Sequence, residues 1–240
     1  MYQHWAKLLF IHFPIDPKLL RPLIPGPLSI DTFDQHAWIA IVPFTMWGIR
    51  ASFLPAIPGT SAFHELNVRT YVHVNGVPGV WFFSLDAANR LAVWAARWSY
   101  QLPYFFARMS LRQEGGTIKY ESTRIDGSSP PAGFEATWTS KDALPPSSPE
   151  SLEFFLTERY CLYAERDRQI YRARIFHQPW PLQRAELNTM RSTMLEPLGL
   201  VQPACAPVLH YAESLSVSIW PLHRVKTKPR TNPDERESIS

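Results

Sequence analysis

Apolar and polar residues alternate with a period of two along much of the chain. The clearest stretch is residues 63–86, FHELNVRTYVHVNGVPGVWFFSLD. Side chains on a strand point alternately to two faces. One face of the first half carries Leu66, Val68, Thr70, Val72 and Val74; the other carries Glu65, Asn67, Arg69, Tyr71 and His73. Asn75-Gly76 is the favoured pair for a two-residue type I′ turn, so a hairpin is expected with Val74 opposite Val77. Extending that register sets Arg69 opposite Phe82, Asn67 opposite Ser84 and Glu65 opposite Asp86. A bulge at Pro78-Gly79 would move the pairing by one. Periodicity leaves two readings of the polar face open. It meets water, as in many half-wet antiparallel sheets, or it lines a pocket in which Val80 and Phe82 stand beside Arg69 and Tyr71.

The rest of the chain repeats this strand character. WAKLLFIHF (5–13) reads as a strand buried on nearly both faces, and AWIAIVPFTMWGI (37–49) as another, bent at Pro43. Between them Asp16 is placed to cap a short helix, with Pro17 at its first position and Pro22 and Pro25 ending it. Residues 50–62 form a loop. ANRLAVWAARWSY (88–100) has Leu91, Trp94, Ala95 and Trp98 at helical spacing, which predicts a short amphipathic helix stopped by Pro103. YFFARMSLRQ and GTIKYESTRID pair through Gly115-Gly116, and GFEATWTS (133–140) is a further strand. A helix capped by Ser148 carries Leu152, Phe155, Leu156, Arg159 and Tyr160. QIYRARIFHQPW returns to strand, LQRAEL is ambiguous, and VLHYAESLSVSIWPL (208–222) closes the fold. Strands recur with short connections and no βαβ rhythm. The expected fold is mainly β (α+β): one antiparallel, barrel-like domain over residues 1–222 with two or three peripheral helices. A polar, flexible tail at 223–240 would follow.

Composition narrows the function classes. The chain has 240 residues, 45% hydrophobic and 19% charged, enough for a sizeable core. Its 23 prolines against 10 glycines favour stiff loops, and its 9 tryptophans fill a wide core or line a cavity. The net charge is +3, with no basic stripe interleaved with aromatics, so nucleic-acid binding has no support. Cys161 and Cys205 are isolated and fit a reduced, cytoplasmic protein. No apolar run reaches membrane-spanning length, and the N-terminus lacks the form of a signal peptide. The histidines make no HxH or HxxxH pair, so neither a metal nor another cofactor is expected. There is no nucleophile elbow and no phosphate loop. His177, in HQPW with Trp180, either lines the pocket or holds a turn by bonding backbone. Arg159 and Tyr160 have a solvated or packing role by default.

Five segments carry a resemblance: LLRPLIPGPLSID (19–31), FHELNVRTYV (63–72), LPYFFARM (102–109), FLTERYCLY (155–163) and HQPWPLQRAEL (177–187). In this fixed order they resemble the uncharacterised bacterial family DUF2071, or YqjF-like, within the acetoacetate decarboxylase-like superfamily. The resemblance to acetoacetate decarboxylase itself is narrower. It rests on LLRPLIPGPL and on a Glu about ten residues before an Asn-Gly turn, followed by LD and a helix. It implies an antiparallel β-barrel or cone with an interior active site, hence a polar hairpin face that points inward. It also implies that the superfamily's active-site Glu falls on Glu65. Acetoacetate decarboxylase forms a Schiff base on a lysine whose pKa an adjacent lysine lowers. Here Tyr104 and Phe105 stand where that lysine pair would be. Of the lysines of this chain, Lys7, Lys18, Lys119, Lys141, Lys226 and Lys228, none sits next to the proposed pocket in sequence. The decarboxylase's N-terminal arginine has no match; YQHWAKLLF offers Ala6 near that point.

Two functional classes follow. The first is a lyase- or isomerase-like enzyme for a small carboxylated or carbonyl compound. Glu65 would serve as acid/base, Tyr104 or Tyr71 would donate to an oxyanion, and Arg69 would hold the anionic group. Asn67, Tyr71, Phe82, Ser84, His177 and Trp180 would line the site. The second is a non-catalytic barrel in which the same residues bind a small-molecule ligand. The sequence does not give an oligomeric state.

Overall fold

The long apolar runs become long strands. In the computed structural model, which describes residues 1–50, 62–127 and 129–226, the run around residues 5–13 extends to β1 (Tyr2–Ile15). Asp16 then caps α1 (Pro17–Leu20), its carboxylate accepting from the Lys18 N–H. After β2 (Ser29–Ile30) comes β3 (Ala37–Arg50), which runs through Pro43. Of the loop expected at 50–62, residues 51–61 lie outside the described residues. β4 (Ala62–Val74) and β5 (Val77–Ala87) form the hairpin. Asn75 and Gly76 both have positive φ, 52° and 76°, as a type I′ turn requires. The remaining elements are α2 (Arg90–Tyr100), β6 (Tyr104–Glu114), β7 (Thr117–Arg124), β8 (Gly133–Ala143), α3 (Leu152–Thr157), β9 (Cys161–Arg166), β10 (Gln169–Phe176), β11 (Gln183–Ser192), β12 (Val208–Ile219) and β13 (His223–Arg224).

The pairings join all strands into one sheet that closes on itself twice. One ring runs β4-β5-β6-β7-β8-β11-β12-β1-β3 and back to β4. A second leaves β5 for β9 and β10 and rejoins at β12. The two rings share the wall β12-β1-β3-β4-β5. Each face of β4 therefore looks into an interior. Leu66, Val68 and Val72 pack with Ile118, Tyr120 and Phe134 of β7 and β8. Tyr71 packs with Val80, Leu162, Ala173 and Ile175, on the side of β9 and β10. The polar face of the hairpin is thus enclosed rather than wet. The pairings are antiparallel except two parallel ones, β5 with β6 and β5 with β9. The first is possible because α2 carries the chain back over the β5–β6 crossover.

Several expectations need correction. Arg69 does face Phe82, but the register slips between Val68 and Arg69, so the extra residue is Phe83 rather than one at Pro78-Gly79. Ser84 then opposes Val68, Leu85 opposes Asn67, Asp86 opposes Leu66 and Ala87 opposes Glu65. A one-residue slip exchanges faces, which takes Ser84 off the face of Asn67. The helix expected from Ser148 to Tyr160 is shorter. Ser151 caps it, it ends at Thr157, and the next segment is β9. LQRAEL belongs to β11. The apolar stripe of α2 points outward, with Trp98 76% exposed, while Val93 is buried. The sheet also continues past residue 222. His223 and Arg224 pair with Arg172 and Tyr171, and Asn75 donates to the Lys226 carbonyl.

Candidate functional site

Glu65 lies near the start of β4, 2% exposed. The Tyr104 hydroxyl, from the first residue of β6, donates to its Oε2 at 2.8 Å. The parallel pairing of Leu85 with Tyr104 delivers that side chain. Arg97 of α2 fixes the same point, donating from Nε to the Tyr104 carbonyl at 2.6 Å while pairing with Asp126. Burial pushes the Glu65 carboxyl from 4.5 up to about 8. The hydrogen bonds of Tyr104 and Asn67 pull it back, and the Asp86 charge pushes it further up. Arg69, four residues along the strand, is not among the groups that act on Glu65. Burial and the neighbouring Glu65 drive Tyr104 well above its ordinary value. At neutral pH the pair is therefore a carboxylic acid beside a phenol.

Arg69, 8% exposed, sits farther along β4 among aromatic rings. Its guanidinium lies 5.4 Å from the Phe10 ring and 5.9 Å from that of Tyr71. Among the described residues it forms no ion pair, and its Nε has no hydrogen-bond partner. Tyr71 is fully buried and hydrogen-bonded to His12 Nε2 at 2.8 Å. Burial, together with Arg69 and His210, holds His12 well below its usual range. His12 Nδ1, His210 Nδ1 and Asn67 Oδ1 are buried without partners. Phe82 is half-buried opposite Arg69.

His177 and Trp180 reach this region from the segment after β10. His177 Nδ1 is 2.8 Å from the Gln178 carbonyl, and its ring stacks on Tyr160 at 4.7 Å. It is near enough to Arg69 for that charge, after burial, to oppose its protonation. Trp180 meets Phe10 edge-on at 5.0 Å, and its Nε1 donates to the Thr157 carbonyl.

Sequence reasoning missed four groups. His12 interrupts an otherwise apolar, doubly buried strand, and that interruption was the available signal. His210 lies against it, with ring centroids 6.1 Å apart. Arg159, expected to be solvated or packing, is 7% exposed; it pairs with Asp31 at 2.5 Å and lies over Tyr71 at 5.0 Å. Arg124 grips Asp86 through Nε and Nη2. The acidic pair expected of Glu65 and Asp86 is therefore an acid beside an ion pair. Phe105 lies between guanidinium groups, 4.3 Å from Arg124 and 5.6 Å from Arg97. Lys7 pairs with Glu213, Lys119 with Glu121 and Glu135, and Lys141 with Glu186. Among the described residues, no three His, Cys, Asp or Glu side chains gather as metal ligands, and no helix is long and apolar enough to cross a membrane.

The doubly closed sheet places the chain in a class: the acetoacetate decarboxylase-like fold. Solved structures bear this out. An acetoacetate decarboxylase-like enzyme from Sphingomonas wittichii RW1 superposes with a TM-score of 0.65 at 12% identity, covering 95% of this chain and 93% of that one. The acetoacetate decarboxylase from Legionella pneumophila gives 0.63 at 14% identity over 94% and 87%. The enduracididine biosynthesis enzyme MppR complexed with pyruvate gives 0.65 at 11% over 94% and 90%. At these identities the likeness is one of fold. Within that class the chain belongs to the family DUF2071, uncharacterized conserved protein, whose model matches residues 2–216. The uncharacterized protein YqjF of Bacillus subtilis is 43% identical over 224 residues, 93% of this chain and 92% of YqjF.

Proposed function

We propose that the polar face of β4 binds a small carboxylated or carbonyl-containing molecule and promotes lyase- or isomerase-like proton transfer on it. In this proposal Arg69 holds the anionic group and Glu65 serves as the acid. The observation that carries it is the buried guanidinium of Arg69, without an ion-pair partner among the described residues. Such a charge is costly to bury unless an anion or acceptors meet it, and His12 and His210 bring further unpartnered nitrogens to the same place. Glu65, protonated at neutral pH, can give a proton to a developing oxyanion or carbanion and take it back, with Tyr104 orienting it. Asn67 stands between the two ends. Chemistry through a lysine imine is not part of the proposal, because the resemblance puts Tyr104 and Phe105 where the decarboxylase has its lysine pair.

A second function, binding without turnover, has one observation in its favour. Arg69 acts on His12, Tyr71 and His177 but not on Glu65. A very small ligand on Arg69 would stand away from the acid.

Pyruvate and acetoacetate titrations, followed by tryptophan fluorescence, test the anion site. Saturable quenching is expected in the wild type, lost in Arg69→Met with little change in melting temperature. A large loss of stability in Arg69→Met with ligand still bound would make the arginine structural. Borohydride reduction in the presence of acetoacetate should leave every lysine unmodified by mass spectrometry; an adduct on any of them would overturn the imine-free chemistry.

A further inference from the structure

The outer edge of β5 is shared between two partners. Val80 and Trp81 pair with β9, while Leu85, Asp86 and Ala87 pair with β6. Phe82, Phe83 and Ser84 lie between, unpaired on that edge among the described strands, and Phe83 is the bulged residue. A cleft of about 480 Å3 opens at this gap. Its walls come from both interiors. Trp81 and Phe83 pack against the cluster that holds Leu66 and Val68, whereas Phe82 and Leu102 pack with Tyr71 and Tyr104. Phe82 is also the cross-strand neighbour of Arg69, a separation of about 5 Å between Cα atoms.

We infer that this cleft is the subsite for an apolar tail, so that the preferred ligand is a carboxylate bearing an aromatic or branched alkyl group rather than a two- or three-carbon acid. This rests on the proposed role of Arg69. The carboxylate sits against Arg69, the chain passes Phe82, and the tail lies between Trp81, Phe83 and Leu102. Arg97, Gln101 and Glu165 also line the cleft, but the rings and aliphatic side chains of its remaining wall favour an apolar tail there. Arg69 does not itself line the cleft, so the occupant must be long enough to pass Phe82 from Arg69, which pyruvate is not.

The test compares pyruvate with phenylpyruvate by calorimetric titration of the wild type, Arg69→Met, Leu102→Trp and Phe83→Ala. The expected result is phenylpyruvate binding at least tenfold tighter than pyruvate. Leu102→Trp, which fills the wall, and Phe83→Ala, which removes it, should each erase most of that advantage and leave pyruvate binding as it was. Having two variants on opposite walls guards against one that fails to fold. Equal affinities for the two acids, with both lost in Arg69→Met, would overturn the tail subsite and leave the carboxylate site standing. An advantage of phenylpyruvate that neither wall variant reduces would overturn it as well. Failure of both acids to bind the wild type would remove the carboxylate site and the subsite with it.

Discussion

Replacing Glu65 by Gln gives the sharpest physical test of the site, because it needs no ligand. The folded carboxyl is pushed from 4.5 to about 8, chiefly by burial. Between those values the folded chain holds a proton that the unfolded chain has released. Stability therefore falls as pH rises, with a limiting slope of about 1.4 kcal/mol per pH unit from this one group. Its contribution is fully present below the unfolded value and is lost as pH rises through the folded one. From pH 5 to 7.5 the loss comes to about 3 kcal/mol. Gln is nearly isosteric and does not titrate, so its melting temperature lacks this component. The histidines titrate alike in both proteins and cancel in the difference. For a chain of this size about 3 kcal/mol corresponds to roughly 6–12 °C. Melting curves at half-unit pH steps should show the variant gaining on the wild type by that amount across the window. A protonated-carboxyl infrared band, present at pH 7 in the wild type and absent in the variant, would report the same proton directly. Parallel melting-temperature curves would mean that Glu65 is ionised in the folded protein and that the acid role assigned to it is wrong.

Other outcomes follow from single contacts. Asp86→Ala leaves the Arg124 guanidinium buried and unpaired, which should cost about 3–5 kcal/mol in chemical denaturation; Asp86→Leu combined with Arg124→Met should recover most of it. Gly79→Ala places a Cβ 2.7 Å from the Cys161 carbonyl oxygen and 2.7 Å from the Tyr163 ring. It should destabilise by about 1–3 kcal/mol by forcing β5 from β9, and an unchanged melting temperature would show that the two strands are not so closely held. His12, lowered well below its usual range by burial, should remain neutral when titrated through pH 6.5 by NMR. Because the unfolded chain takes up that proton first, its contribution to stability is lost as pH falls below 6.5.

What was legible in the sequence divides along the range of the forces involved. The Asn75-Gly76 turn and the Asp16-Pro17 helix start are local, and each is where the residues put it. The polar face of β4 could be read as a face but not as an interior, because periodicity records which residues share a side and not what covers it. Here β9 and β10 cover it, and β9 begins directly after a segment that reads as a helix. The slip at Phe83 was invisible for a related reason. A bulge inside an unbroken strand pattern leaves no glycine or proline to mark it, yet it removes Ser84 from the face of Asn67. The resemblance supplied the inward direction that periodicity lacked. It also brought FLTERYCLY and HQPW forward without saying why they belong together. In the fold, Glu158 accepts from the Trp180 N–H, and Tyr160 stacks on His177. That contact spans a strand pair, so no spacing rule predicts it.

The two arginines around Tyr71 carry the comparison furthest. Arg159 and Arg69 are similarly buried, at 7% and 8% exposed, and lie 5.0 and 5.9 Å from the same ring. Both favour the ionised phenolate of Tyr71, and burial overrides them. Yet the fold gives Arg159 the carboxylate of Asp31 and the carbonyl of Phe155. It gives Arg69 two aromatic faces and a hydrogen bond to the Tyr71 side chain, but no carboxylate, and leaves its Nε unpartnered. Aromatic faces offset only part of the loss of hydration of a guanidinium, on the order of 1–2 kcal/mol each when desolvated. A buried cation of purely structural use would be expected to resemble Arg159. Arg69 does not, although Asp31 lies against the same tyrosine's other arginine. This asymmetry makes Arg69, rather than Arg159, the residue whose replacement should remove binding and spare the fold.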